Sequence, residues 1–97
     1  MKEHTTTDFK KLYKAVLSLK NRTECEAFFK DICTEQELAA ITQRIEVAEF
    51  LREGASYTEI NKKTGASTAT ISRISRYLHK GQGGYETVLE RIKRKHD

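Results

Sequence analysis

The sequence predicts an all-α fold of six helices in a single domain, on three observations. Proline is absent, and the five glycines stand at 54, 65, 81, 83 and 84, so nothing breaks a helix away from those junctions. Apolar side chains recur at helical spacing, three and four residues apart, instead of alternating as in a half-buried strand. The pattern S/T-x-x-E, in which a hydroxyl and a glutamate satisfy each other's free backbone N–H groups, occurs three times ahead of an apolar run.

The first helix covers residues 8–20, with Leu12, Val16 and Leu19 on one stripe, and Asn21 ends it. Thr23–Glu26 is a capping box that opens a short helix through Phe28, Phe29 and Ile32. Thr34–Glu37 opens the longest helix, to about Glu53, where Gly54 stops it. Ser56–Glu59 starts a fourth helix that ends at Thr64-Gly65, since glycine takes the left-handed backbone that terminates helices. Ser67 supplies the N-cap oxygen of a fifth helix, to about Lys80, with Ile71, Ile74 and Leu78 on one stripe. After the break at residues 81–84 a sixth helix carries Tyr85, Val88, Leu89 and Ile92, followed by the basic run 91–95.

Residues 57–78 have the spacing of a helix-turn-helix: two short helices joined by three to four residues that include a glycine. Two positions depart from the usual pattern. Asn61 stands where a small apolar residue is common, and Thr64 where a hydrophobic one is usual. Charge distribution supports a polyanionic partner. Residues 57–80 hold Lys62, Lys63, Arg73, Arg76 and Lys80 against Glu59 alone, whereas residues 21–53 hold four basic side chains against eight acidic ones. Binding to nucleic acid needs a local positive field more than a net charge, here +4 overall. The competing reading, a merely solvated helix face, fits less well because acidic residues are not interleaved in this segment.

Several function classes are excluded by composition. No apolar run approaches the roughly 20 residues that cross a bilayer, and the N-terminus lacks the apolar stretch of a signal peptide, so a cytoplasmic location is expected. Cys25 and Cys33, eight residues apart, and the scattered His4, His79 and His96 do not make a four-ligand metal set. No nucleophile–base arrangement can be drawn from order or spacing. An enzyme, a metal and a cofactor are therefore not expected.

The longest helix is apolar on both sides. Leu38, Ile41, Ile45 and Ala48 share one face, and Ala40, Val47, Phe50 and Leu51 the opposite one. Ninety-seven residues offer too little material to cover both faces together with Phe28 and Phe29. An intertwined homodimer is expected, its core built from about residues 8–53 and 84–95, with the helix-turn-helix at about 56–80. A compact monomer with flanking helices wrapped around the long one is the alternative.

The strings TEQELAAITQRIEVAEFLREG and YTEINKKTGASTATISR, together with the order of six helices, resemble the Trp repressor superfamily. Within it the chain looks most similar to the YerC/YecD-type group of Trp-repressor-like proteins. The resemblance covers residues 34–78 in motif detail and nearly the whole chain in helix order. It implies an intertwined all-helical dimer in which helices four and five form the DNA-reading head. It also implies an effector pocket, in which Arg44 and Arg73 match the two ligand-holding arginines and Thr34 a pocket threonine. There the chain departs from the pattern, because Ile74 replaces a glycine and Tyr77 replaces a serine. A branched side chain in the space of an indole ring overpacks it, at a cost of about 1–3 kcal/mol, which argues against tryptophan as corepressor. The pocket is then expected to be filled by the protein's own side chains or to take a different small-molecule effector, which these residues do not assign. Arg44 and Arg73 are left as an interhelical clamp or as phosphate contacts.

The function expected is a sequence-specific, homodimeric DNA-binding regulator, a repressor. Thr68 and Ala69 would lie nearest the base edges of double-stranded DNA, and Thr70 and Ser72 would hydrogen-bond one turn on. Lys62, Lys63, Arg73 and Arg76 would hold phosphates, with Thr58 and Asn61 as secondary contacts. The alternative is a dimeric protein-interaction module that keeps the fold without specific DNA reading, favoured by the departures at Asn61 and Thr64. A nucleic-acid module of a replication or transposition protein is a third reading.

Overall fold

The structure, a computed structural model, describes residues 8–94. His4, His96 and Lys95 lie outside the described residues. Six helices follow in order: α1 (Lys10–Leu17), α2 (Arg22–Ile32), α3 (Glu35–Arg52), α4 (Tyr57–Thr64), α5 (Thr68–Lys80) and α6 (Gly84–Arg94). The described residues contain no strand. The chain divides into two compact units, Met1–Leu38 and Ala39–Asp97, with α3 running from the first into the second.

In the first unit the capping chemistry differs from the sequence expectation at one junction. Asn21, expected to end α1, instead caps α2: its backbone is extended and its Oδ1 accepts the Glu24 N–H at 2.9 Å. The Glu24 carboxylate in turn accepts the Lys20 N–H at 2.9 Å. Thr23, expected to be the cap, lies inside the first turn. The reason is backbone conformation: the cap must sit on extended backbone immediately before the first helical residue, which Asn21 does, whereas Thr23 is already helical. α1 is also shorter than the expected 8–20. The Ser18 hydroxyl donates to the Ala15 carbonyl at 2.7 Å and closes the last turn, while Asp8 accepts the Lys10 N–H at 2.8 Å at the start. The capping box Thr34–Glu37 is present in both directions, at 2.8 and 3.0 Å.

Neither α1 nor α2 buries a residue. Phe9, Leu12, Tyr13, Leu17 and Ile32 are all exposed, Leu17 at 83%. Phe28 and Phe29 meet edge to face at 5.4 Å between ring centres.

The second unit holds the core. Val47 and Ala48 of α3, Ile60 of α4, Ala66 in the bend, Ile71 and Ile74 of α5 and Leu89 of α6 form one buried cluster, flanked by Phe50, Leu51, Ala55 and Tyr85. α3 is buried only over this C-terminal stretch, and Ile41 and Ile45 remain exposed at 41% and 36%. Gly54 ends α3 with φ +85°, a left-handed conformation that a side chain would strain. Arg52 then ties α3 to α6. Its guanidinium bridges Glu86 at 3.0 Å and Glu90 at 3.1 Å, carboxylates one turn apart on α6.

Candidate nucleic-acid interface

The positive segment of the chain folds into α4, a short bend and α5. Ser56 opens α4 through the expected capping box, with bonds of 2.9 and 3.1 Å to Glu59. Gly65 closes it at φ +78°, its N–H on the Asn61 carbonyl at 2.8 Å. Ser67, on extended backbone, then accepts the Thr70 N–H at 3.1 Å and starts α5.

This arrangement sorts α5 into two faces. Ile71, Ile74 and Leu78 point into the protein, and Thr68, Ala69, Ser72, Arg73 and Arg76 are exposed. At 3.6 residues per turn those five share an arc of about 140°. The side chains nearest the N-terminus of α5 are small, and the two arginines follow one and two turns on. His79 and Lys80 continue the same arc and are also exposed. His79 was absent from the expected set, although its place seven residues after Ser72 is the signal that would have included it. Its Nδ1 lies 2.8 Å from the Ser75 carbonyl. Thr70 sits at the edge of the arc, half-buried, its hydroxyl 3.1 Å from that of Ser67.

On α4, Thr58, Asn61, Lys62 and Lys63 are exposed. Lys63 leans back over the Phe50 ring, its ammonium 5.6 Å from the ring centre, and lines a small cavity with Glu53 and Glu59. Asn61 turns inward through its amide, which donates to the Ala66 carbonyl at 2.8 Å. Thr64 donates to the Ile60 carbonyl at 2.7 Å and accepts the Ala66 N–H at 3.1 Å. The two departures from the usual motif are thus hydrogen-bonded parts of the bend. Gln43 of α3, which sequence reasoning missed, donates through Nε2 to the Thr64 carbonyl at 3.0 Å. An amide between Ile41 and Ile45, on a helix apolar on both sides, was the available signal.

The residues matching an effector pocket are placed differently. Ile74 is only 4% exposed and belongs to the core cluster, so the position of the expected glycine is filled. Tyr77, at 55% exposure, lines a groove of about 510 Å³ with Ile45, Lys80, Tyr85 and Val88. Arg44 and Arg73 are exposed, and among the described residues neither makes an ion pair. Thr34 uses its hydroxyl in the capping box of α3. Among the described residues no group of acidic, histidine and cysteine side chains could hold a metal, and no helix is long and apolar enough to cross a membrane.

The family described as Trp repressor protein matches residues 7–93. The chain belongs to the Trp repressor family. It is 51% identical over 82 residues to YerC of Bacillus subtilis (strain 168), a match covering 84% of this chain and 79% of that one. A solved TrpR-like protein from Eubacterium eligens superposes with a TM-score of 0.83 at 48% identity, covering 91% of each chain. A second solved structure, from Staphylococcus aureus, superposes equally well at 40% identity, covering 92% of this chain and 89% of that one. As a member of the Trp repressor family the chain is a DNA-binding regulator and not an enzyme.

Proposed function

We propose that this Trp repressor family member is a homodimeric repressor that reads a specific duplex sequence through a helix-turn-helix made of α4 and α5. The observation that carries this reading is the exposed arc of α5, with small polar and apolar side chains at its start and arginines behind. Such an arc can approach a major groove closely, Thr68 and Ala69 against base edges and Ser72 hydrogen-bonding one turn on. Thr70, engaged with the cap, contributes from the edge. Arg73, Arg76 and Lys62 are suited to phosphates, with Thr58 as a secondary contact. Lys63 and Asn61 are held by Phe50 and Ala66 and serve this face less directly. The repressor sense follows the family's own description.

The dimer is supported by the apolar side chains that the single chain leaves open: Phe9, Leu12, Tyr13 and Leu17 on α1, Ile32 on α2, Ile41 and Ile45 on α3. A second copy of the chain would cover them and present two reading helices with twofold symmetry. Tryptophan is not part of this reading, because Ile74 fills the glycine position from within the core.

The test is selection of duplexes from a randomised pool by the purified protein at about 150 mM salt, where non-specific binding is weakened. Enriched sites with twofold symmetry and half-sites about one helical turn apart are expected. A folded protein that enriches no sequence would sink the proposal in favour of the interaction-module alternative. In transcription reactions, a promoter carrying the selected site is expected to fall in output as protein is added.

A further inference from the structure

The bend between α4 and α5 is held from two directions. From within, Asn61 and Thr64 bond the backbone of residues 60 and 66 at 2.7 to 3.1 Å. From outside, Gln43 reaches across 21 residues of sequence to the Thr64 carbonyl at 3.0 Å. That carbonyl belongs to the last residue of α4, where the helix itself supplies no N–H partner. Gln43 and Thr64 are both half-buried, so the bond is shielded from water on part of its surface.

We propose that Gln43 is a positioning residue for DNA reading: its amide fixes the orientation in which α3 presents the recognition helix α5. The inference rests on the DNA-reading function proposed above. The apolar contacts of Val47 and Ala48 with Ile60, Ala66 and Ile71 hold the head against α3, but dispersion contacts have no preferred direction. A hydrogen bond does, and weakens steeply away from its axis. Orientation matters here because Thr68, Ala69 and Ser72 have short side chains. They cannot follow a base edge if the helix turns, whereas Arg76 and Lys62 can follow a phosphate through several rotatable bonds. Loss of the Gln43 bond therefore acts on sequence discrimination and leaves overall attraction to DNA intact. The polar residues Asn61 and Thr64 belong to the same device, since they stiffen the bend that Gln43 grips.

The experiment compares wild type with Gln43→Met, which keeps the length and loses the donor, and Gln43→Asn, which keeps the amide but draws it back by one methylene. Circular dichroism and melting establish that each variant is folded. The dissociation constants for the selected site and for an arbitrary duplex are then measured across a salt series. The ratio of the two is expected to fall roughly two- to tenfold in both variants, the range of one net hydrogen bond. Affinity for the arbitrary duplex and its salt slope are expected to stay at wild-type values, which mere destabilisation would not predict. An unchanged ratio in a folded variant overturns the positioning role. Wild type that prefers no duplex overturns the DNA-reading function itself, and this inference with it.

Discussion

Single side chains divide here by reach. Thr68 and Ser72 are short and exposed on one face of α5, so replacing both by alanine is expected to flatten sequence preference while affinity for an arbitrary duplex changes little. Arg76, on the same face but long and charged, is expected to behave oppositely. Arg76→Ala should weaken all duplexes alike and lower the slope of log K against log salt by about one. Binding isotherms on matched and mismatched duplexes separate the two classes; a sequence-selective loss on replacing Arg76 would reverse the proposed orientation. Ile74 marks the limit of analogy at this scale. It is 4% exposed among Val47, Ile71 and Leu89, so Ile74→Gly is expected to remove a core side chain and lose about 3 kcal/mol or more. Denaturant melts of wild type and variant measure that loss. Added tryptophan is expected to leave wild-type DNA affinity unchanged.

At the scale of elements, the ends of helices carried the clearest signals and the clearest error. Thr34 and Ser56 were legible as caps because each combines a hydroxyl with a glutamate three residues on, and both boxes form. Thr23 carried the same pattern, yet Asn21 takes the role with Glu24. Two overlapping cap signals can be written in one stretch of sequence, and backbone conformation decides between them. Asn21→Ala is therefore expected to destabilise α2 by about 1 kcal/mol, and Thr23→Ala to cost little. Thermal melts of the two variants check this, and the reverse order would restore Thr23 as the cap. The bend teaches a similar lesson. Asn61 and Thr64 read as departures from a hydrophobic pattern because that pattern records which side chains usually fill the turn. Their hydrogen bonds to residues 60 and 66 do a comparable job by other means.

For the whole molecule, the distribution of burial bears on assembly. The core draws on α3 to α6, while α1 and α2 bury nothing. Phe9, Leu12, Tyr13, Leu17 and Ile32 are exposed, and these are the side chains a partner copy would cover in the proposed dimer. The proposed dimer is expected to sediment at twice the 11.2 kDa chain mass. Replacing Leu12 and Val16 by aspartate is expected to yield monomer or unfolded chain, since it places charge on the stripe the partner would cover. Sedimentation equilibrium decides, and a folded wild-type monomer would refute the dimer.

The sequence by itself determined the six helices, most of their boundaries, the division of α5 into a buried and an exposed face, and the family. Each of these depends on near neighbours: a cap and its glutamate, a glycine at positive φ, an apolar residue every three or four places. Tertiary structure alone decided that Gln43 meets the Thr64 carbonyl, that Lys63 lies over Phe50, and that Arg52 bridges Glu86 and Glu90. Those pairs are far apart in sequence or lie on different helices, and no local spacing encodes which side chain a polar group will find once the helices have packed.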